Sequence, residues 1–287
     1  MHLLVEFAKV NYSVQKQNII KMKIYHYTSI ETLALILKNK TIRFNRLDHV
    51  DDVDEAAYGS GVQKTLLGQY SFVSCWTKEE SENIALWNMY TNYKGVRIGL
   101  DEDMFITYAI NNKFKSFFNF MSKFEDDYFV SAISNEAKLY DIQYVQSPET
   151  YIKDLIHQEG DMVSIDTSHI GIYKRKEWDC QKESRFRLIF FPVNPRYADV
   201  IKSKNLDNLN LIMQAMSASY QSLKENYILN FDYRDIPLKT EALENIEVML
   251  GPCTSEGEKA IVEALLKGFK NSKIKDSLFK GKIRRNK

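Results

Sequence analysis

The sequence predicts a single α+β domain, and three observations support this prediction. Hydrophobic residues make up 44% of the 287 residues and charged residues 27%, a balance that is sufficient for a folded core. Aromatic residues reach 13%, which favours substantial β-structure. Segments with strand and helix patterns follow one another from Ile24 to Phe269, with no linker rich in Gly, Pro or Ser between them.

Two strand-to-helix patterns stand in the first third of the chain. From Ile24 a strand leads to Thr28 and Glu31, which have the spacing of a capping box and precede apolar residues at helical intervals. Thr77 and Glu80 have the same spacing after a β-prone segment and predict a second helix start. Further strands are predicted over 41–44, 70–76, 95–100, 184–191 and 246–250, and further helices over 206–227 and 260–269.

The predicted α+β domain covers residues 23–269. Residues 1–22 are predicted to be an N-terminal extension, because residues 11–21 before the first strand are polar and aperiodic. Residues 102–160, which are rich in aromatic side chains, are predicted to be a helical insertion. Residues 270–287 are a basic tail with eight Lys or Arg and one acidic residue, which is either a solvated tail or a contact for a polyanion such as nucleic acid.

Charge and cysteine content narrow the class of protein. Lys plus Arg number 39 and Asp plus Glu 38, whereas a dedicated nucleic-acid binder is usually more basic. The three cysteines are far apart and odd in number, which argues against a disulfide framework and favours an intracellular protein. No apolar run approaches the roughly 18 residues that a membrane span needs. A cytoplasmic protein with no membrane partner is therefore expected.

Several common catalytic motifs are absent from the sequence. It contains no P-loop, no glycine-rich dinucleotide fingerprint, no zinc-protease H-E-x-x-H and no G-x-S-x-G nucleophile elbow. The five histidines are scattered, so no metal is expected. Chemistry without a resident cofactor remains open.

Polar side chains end two of the predicted strands before the predicted helices. His26 can donate to a ribose hydroxyl or a carboxamide, or it can instead be a structural histidine that bonds the local backbone. Thr77 most simply caps the helix that follows it. Ser74 can hold a polar ligand or can be structural.

A third polar pair, Gln181 and Glu183, directly precedes the predicted strand 184–191. Residues two apart in an extended chain face the same side, so these two side chains are expected to project together. An amide beside a carboxylate can bind a sugar hydroxyl, and the carboxylate can stabilise an oxocarbenium-like centre. The alternative is an exposed strand start in which Glu183 pairs with Arg185 or Lys174.

Together these segments resemble the bacterial domain-of-unknown-function 2971 family, over about residues 24–269. The similar motifs are Tyr25-x-Tyr27-Thr28-Ser29 with the helix after it, Ser74-Cys75-Trp76-Thr77, Trp87-x-x-Tyr90, Trp178 with Glu183-x-Arg185, and Leu250-Gly251-Pro252.

A more distant resemblance is to the ADP-ribosyltransferases. Their three short motifs have the same order as His26, residues 74–77 and Gln181-x-Glu183 in this sequence. The resemblance implies a mixed, mostly antiparallel β core and NAD as a substrate rather than a resident cofactor. It implies transfer of ADP-ribose to an unknown protein or nucleic-acid acceptor, with a role as a toxin or in phage defence among the possibilities.

The same resemblance implies a role for each site residue. Glu183 would bond the nicotinamide ribose and stabilise the oxocarbenium ion, and Gln181 would orient the acceptor. Ser74 would support the site, and Tyr27 or Tyr90 would stack on nicotinamide. The residues that it places around NAD are His26, Tyr27, Thr28, Ser74 and Tyr90.

Two other functions remain open at this point. The first is a non-catalytic module that binds a nucleotide or nucleic acid through aromatic stacking and phosphate contacts. The second is a metal-dependent nuclease or glycosidase that uses Asp51, Asp52 or Asp54 with Glu183, because an acidic cluster can hold Mg²⁺.

Overall fold

The computed structural model of the chain describes residues 22–55, 66–152, 155–159 and 162–284. Six α-helices lie in these residues: α1 Ile30–Asn39, α2 Ile84–Thr91, α3 Pro195–Ala198, α4 Leu209–Lys224, α5 Thr240–Glu244 and α6 Glu256–Leu266. The strands of the N-terminal half are β1 Lys23–Thr28, β2 Thr41–Arg46, β3 Ser71–Thr77, β4 Val96–Asp101, β5 Tyr108–Ala109, β6 Lys115–Ser116, β7 Ser122–Glu125, β8 Tyr128–Ser131, β9 Tyr140–Asp141 and β10 Gln143–Val145. The strands of the C-terminal half are β11 Ile156–Glu159, β12 Met162–Ile165, β13 Tyr173–Arg175, β14 Glu183–Ile189, β15 Phe191–Pro192, β16 Tyr233–Pro237, β17 Glu247–Leu250 and β18 Lys273–Asp276.

One large sheet organises the fold and confirms the α+β prediction. Its strand order is β16-β2-β3-β1-β4-β17-β18, and β14 pairs with both β3 and β9. Every pairing in this sheet is antiparallel except that of β17 with β18. The core is therefore mixed and mostly antiparallel, as expected.

The sheet splits along one edge of β3. β14 pairs with β3 over its full length, from Ser71 to Thr77. β2 pairs with β3 only at Phe72 and Val73, and β1 pairs with it only at Thr77. Because a strand has two edges and β14 occupies one, β1 and β2 share the other and diverge from each other between Val73 and Thr77. This divergence opens a cleft in the sheet.

Helix α1 joins the two diverging strands. Its N-terminus is capped by Ser29, whose hydroxyl accepts a hydrogen bond from the backbone N–H of Thr32. Leu33, Ile36 and Leu37 form its buried face. The predicted helix is confirmed, but the cap is one residue later than the predicted Thr28, because Thr28 still belongs to β1.

The second predicted capping box is wrong. Thr77 ends β3, and its hydroxyl accepts from the backbone N–H of Glu79 in the following turn. Helix α2 begins later, where the Asn83 side chain accepts from the N–H groups of Ala85 and Leu86. The S/T-x-x-E pattern at Thr77 therefore belongs to a turn, and the helix is capped by Asn83 instead.

The two faces of β14 are both buried, but in different ways. Phe186 and Leu188 pack into the hydrophobic core on one face. Arg185 and Arg187 lie on the other face and are only 1% and 4% exposed. This second face is covered by described residues of the segment between β9 and β14, whose backbone carbonyls at residues 170 and 171 accept from the two guanidinium groups. Charged side chains are thus buried beside the cleft.

The predicted helical insertion at 102–160 is wrong. The described residues of this range form β5 to β11 and short 3₁₀ turns at Ile133–Asn135 and Pro148–Thr150, with no α-helix. Aromatic spacing was the misleading signal. Phe105 and Phe117 pack edge-on against each other, and both rings contact Phe44 of β2, so they anchor irregular chain on the core rather than form one face of a helix.

Part of the predicted basic tail belongs to the domain. β18 pairs in parallel with β17 at the edge of the large sheet. Beyond it, the Ser277 hydroxyl and the Leu278 N–H both donate to the Glu82 carboxylate, just before α2. The domain therefore extends past residue 269. The predicted extension at 1–22 lies outside the described residues except for its last residue, and no described helix is long and apolar enough to cross a membrane.

Candidate functional site

A cleft of about 450 Å³ lies where β1 and β2 diverge over β3. A smaller cavity of about 60 Å³, which we call the side pocket, shares several lining residues with it. Gln181 lines the side pocket. The other six predicted site residues line the main cleft: His26, Tyr27, Thr28, Ser74, Tyr90 and Glu183. Residues that are far apart in the sequence thus meet around one space.

His26 bridges the split in the sheet. Its Nδ1 lies 2.8 Å from the backbone oxygen of Cys75, at a position on β3 that neither β1 nor β2 reaches with its backbone. A carbonyl oxygen only accepts, so Nδ1 carries the proton. Burial lowers the pKa of His26, which keeps the ring neutral and Nε2 unprotonated. His26 therefore bonds the local backbone, which is the structural alternative considered from the sequence. Toward a ligand its Nε2 can only accept, whereas the sequence predicted a donor.

Glu183 sits among cations at the junction of the cleft and the side pocket. Its Oε1 accepts from Nε and Nη2 of Arg185, at 2.8 and 2.5 Å, and its Oε2 accepts from Lys174 Nζ at 2.9 Å. The side chain is only 6% exposed. The alternative in which Glu183 pairs with Arg185 or Lys174 is thus realised with both residues, and within the core rather than at an exposed strand start.

A second carboxylate closes these contacts into a ring. Glu55 Oε1 lies 2.9 Å from Lys174 Nζ, and Glu55 Oε2 lies 2.5 Å from Arg185 Nη1. Two carboxylates and two cations therefore alternate around a closed, buried circuit, which we call the ion-pair ring. Its formal charges cancel. Burial of four charges is tolerated because each of them has two partners of opposite sign.

The ring sets the ionisation of Glu183. Burial alone would raise the pKa of this carboxyl, but Arg185 and Lys174 outweigh it and lower the pKa to about 2. The group is therefore a carboxylate at neutral pH. Because Oε1 already accepts two bonds from Arg185, Oε2 is the oxygen at which a ligand hydroxyl can bond.

Gln181 and Glu183 do project together, but not through an extended chain. Gln181 is the last residue of the 3₁₀ helix Lys176–Gln181, and Lys182 has a left-handed backbone with φ of 46°. Lys174 brings the pair together, because its Nζ donates to Gln181 Oε1 at 2.7 Å as well as to Glu183. Gln181 Nε2 in turn donates to the Tyr90 hydroxyl at 3.0 Å.

The two candidate stacking residues differ in how open they are. Tyr27 is 5% exposed, and its ring packs edge-on against Trp87 with centroids 4.8 Å apart. Its hydroxyl accepts from the backbone N–H of Asn83. Tyr90 is 40% exposed, so it has more free surface for a flat ligand. Ser74 is buried and accepts from the Trp76 indole N–H at 2.9 Å, which gives it a structural bond.

Asp51, Asp52 and Asp54, the acidic residues considered for a metal site, lie in three different environments. Asp52 is buried and accepts from the backbone N–H of Asp54, and Asp54 pairs with Arg175 at 2.7 Å. Asp51 lines the cleft. Within the part of the chain that the structure describes, no three His, Cys, Asp or Glu side chains are grouped to hold a metal ion.

Glu55 is the site residue that sequence reasoning missed. It belongs to the same acidic stretch and reads as a solvated loop residue, yet its side chain is 1% exposed. One feature of the sequence indicated a buried carboxylate. Basic residues lie on a strongly apolar strand, and when such residues are buried they need carboxylate partners from another segment.

Comparisons with family models, with curated proteins and with solved structures gave no match to this chain. The two family resemblances therefore stay predictions.

Proposed function

We propose that the protein is an ADP-ribosyltransferase-like enzyme that cleaves NAD and transfers ADP-ribose to a protein or nucleic acid in the cytoplasm. The observation that carries the proposal is the split of the sheet at β3. There His26 of β1, residues 74 and 75 of β3 and Glu183 of β14 meet around one cleft. The three unpaired cysteines support the cytoplasmic location.

The shape and lining of the cleft support a nucleotide ligand. A volume of about 450 Å³ lies within the range of small-molecule sites, roughly 300–1,000 Å³. Aromatic side chains surround the side pocket, among them Tyr25, Trp76 and Tyr90. Such a lining suits a flat heteroaromatic ring, which gains from stacking and from leaving water.

The acceptors in the cleft support recognition of ribose. His26 Nε2 and Glu183 Oε2 both accept, and sugar hydroxyls are donors that match them. An ionised carboxylate beside C1 of the nicotinamide ribose stabilises the positive charge that develops as the glycosidic bond breaks. The carboxylate form of Glu183 persists at neutral pH because its pKa is held at about 2.

One observation favours the second candidate, a nucleotide-binding module without chemistry. Lys174 and Arg185 both contact Glu183 and offset its charge toward any cationic centre. The same geometry then binds a nucleotide without accelerating the loss of nicotinamide. Catalysis and binding are therefore to be measured separately.

The test compares Glu183→Gln with Glu55→Gln. Each variant removes one carboxylate from the same ion-pair ring, so both are expected to lose similar stability. Glu183 lines the cleft, whereas Glu55 is not among the lining residues. Nicotinamide release from NAD should be lost in Glu183→Gln and retained in Glu55→Gln below its melting temperature, because only Glu183 reaches the substrate.

Binding is followed in parallel by the shift of melting temperature on adding NAD. A shift without release by the wild type, with protein and nucleic-acid acceptors present, would select the binding module. If the wild type shows no shift of melting temperature and no release of nicotinamide, both candidates are refuted. Equal loss of release in the two folded variants would show that release depends on the intact ring and not on contact of Glu183 with the substrate.

A further inference from the structure

The side chain of Lys174 is the contact that Gln181 and Glu183 share. Lys174 lines the main cleft, and its side chain is 3% exposed. Its Nζ donates to Gln181 Oε1 at 2.7 Å and to Glu183 Oε2 at 2.9 Å, and it lies 2.9 Å from Glu55 Oε1. Three oxygens thus surround an ammonium group that has three protons to give. Because each proton has an oxygen within reach, Lys174 acts on a ligand through these neighbours rather than by contact.

Lys174 decides which way the Gln181 amide is turned. The other partner of this amide is the Tyr90 hydroxyl, 3.0 Å from Nε2. A hydroxyl can donate as well as accept, so Tyr90 alone would hold either orientation of the amide. An ammonium can only donate, so Lys174 requires Oε1 and leaves Nε2 for Tyr90. The lysine therefore fixes an amide donor, rather than an acceptor, against Tyr90 in the wall of the side pocket.

Lys174 also decides where the second oxygen of the Glu183 carboxylate lies. Arg185 donates twice to Glu183, but both bonds, at 2.8 and 2.5 Å, reach the same oxygen, Oε1. A carboxylate that is held at one oxygen can still turn about it and move the other. The bond from Lys174 to Oε2 removes this freedom. Oε2 is the oxygen available to a ribose hydroxyl, so Lys174 sets the position of the group that meets the substrate.

The strand that carries Lys174 is tied to Glu183 a second time. Lys174 lies on β13, opposite Tyr144 of β10 in the parallel pair. The Tyr144 hydroxyl accepts from the backbone N–H of Glu183 at 2.8 Å. The β10–β13 pair therefore holds Glu183 at its main chain through Tyr144 and at its carboxylate through Lys174. Lys174 thus acts from a strand whose distance from Glu183 is itself fixed by a hydrogen bond.

We propose, on the basis of the proposed function, that Lys174 is a positioning residue that holds Gln181 and Glu183 in the arrangement that cleavage of NAD requires. It acts through these two side chains and does not touch the reacting atoms. A misplacement of about 1 Å at a reacting group costs about 10²-fold in rate. Loss of Lys174 should therefore slow nicotinamide release even in a protein that is folded and keeps Glu183 ionised.

The experiment separates positioning from the charge balance of the ion-pair ring. Lys174→Met alone leaves Glu55 and Glu183 facing one cation, so lost stability would obscure its effect. The double variant Glu55→Gln with Lys174→Met removes one carboxylate and one cation, and it keeps Glu183 paired with Arg185. Its matched reference is Glu55→Gln, which retains Lys174 and the two bonds to the candidate site residues. Melting temperatures of both proteins are measured first, and rates are compared below them.

The first measurement is nicotinamide release by the full-length proteins over a range of NAD concentrations. Relative to Glu55→Gln, the double variant should lose about 10- to 100-fold in kcat, with a smaller change in KM, because a misplaced carboxylate stabilises the transition state less. A fold defect alone would lower the amount of active protein without an effect of this kind on the folded fraction.

The second measurement does not depend on activity. In ¹⁵N-edited NMR the side-chain amide protons of Gln181 should exchange with solvent faster in the double variant than in Glu55→Gln, because the amide is no longer held at Oε1. The internal reference is the buried Asn135 amide, which donates to the backbone oxygens of Ser131 and Ile189 at 2.8 and 3.0 Å and should be unchanged.

The outcomes distinguish this role from the proposed function. With an active wild type, equal kcat values for the double variant and Glu55→Gln would overturn the positioning role and leave the proposed function standing. A higher kcat in the double variant would also overturn it, because Lys174 would then oppose catalysis by offsetting the charge of Glu183. Unchanged exchange of the Gln181 amide would overturn the control of that side chain. A wild type that releases no nicotinamide would overturn the role together with the proposed function.

Discussion

Replacing Glu183 by glutamine should destabilise the protein at pH 7, and replacing Lys174 as well should recover part of the loss. The single change leaves Lys174 and Arg185 facing one carboxylate, Glu55, so the buried ring carries an unbalanced positive charge. Lys174→Met alone leaves an unbalanced negative charge. The double variant leaves the neutral pair of Glu55 and Arg185, which lie 2.5 Å apart.

The size of the effect follows from the ionisation of Glu183. Its pKa falls from the ordinary 4.5 to about 2. At about 1.4 kcal/mol for each pH unit, this difference corresponds to about 3 kcal/mol of stability. Breaking a buried ion pair by removing one partner costs about 3–5 kcal/mol, which agrees. For a chain of 287 residues, 3 kcal/mol lowers the melting temperature by about 5 °C.

The pH dependence has a definite sign. Because the folded pKa of Glu183 is depressed, its contribution is fully present above the unfolded value of 4.5. It is lost as the pH falls from 4.5 toward 2, where the folded protein also takes up the proton. The stability difference between the wild type and Glu183→Gln should therefore be constant from pH 7 to about 5 and shrink below that.

Urea unfolding of the wild type, the two single variants and the double variant measures the coupling. We expect the double variant to be more stable than the sum of the two single losses predicts, by about 1–3 kcal/mol. Unchanged slopes against urea concentration would show that all four unfold from comparable states. Additive losses, or a Glu183→Gln loss that persists unchanged at pH 3, would refute the ion-pair ring as described.

Two further predictions concern the tail and His26. Deleting 270–287 should lower the melting temperature sharply, because it removes β18 and the donors to Glu82. The control variant, Lys282→Gln with Arg284→Gln, should stay within about 0.5 kcal/mol of the wild-type stability in urea unfolding. An unchanged melting temperature of the truncated protein would contradict the assignment of β18. His26 should titrate below 6.5 in ¹⁵N-edited NMR, with its proton on Nδ1, so its contribution to stability falls as the pH drops below the unfolded value of 6.5. A titration at or above 6.5, or a proton on Nε2, would contradict its bond to the backbone carbonyl.

Local sequence patterns located most of the regular elements because those elements follow local rules. The predicted helix at 206–227 is α4, and the helix at 260–269 overlaps α6, which starts at its own capping box on Ser255. The predicted strand at 184–191 corresponds to β14, Glu183–Ile189. The failures came where tertiary contacts override local patterns. The aromatic stretch of 102–160 is one example, since its rings anchor irregular chain on the core.

The candidate site was only partly accessible from the sequence. Motif order singled out His26, Gln181 and Glu183, and the structure brings all three to adjoining cavities. The sequence could not show that Lys174 bonds both Gln181 and Glu183, because that contact depends on how the covering segment packs on β14. Glu55 was inaccessible for the same reason, since its partners lie more than a hundred residues away.

The sequence by itself determined an α+β chain, most of its main strands and helices, and a short set of polar residues at strand ends. Periodicity and capping are local, so they can be inferred without the fold. Only the tertiary structure decided that β1 and β2 diverge over β3, that His26 donates through Nδ1 to the Cys75 carbonyl and keeps Nε2 as an acceptor, and that Glu183 is held between two cations. Those properties depend on burial and on distances between remote segments, which set both the protonation and the reach of each group.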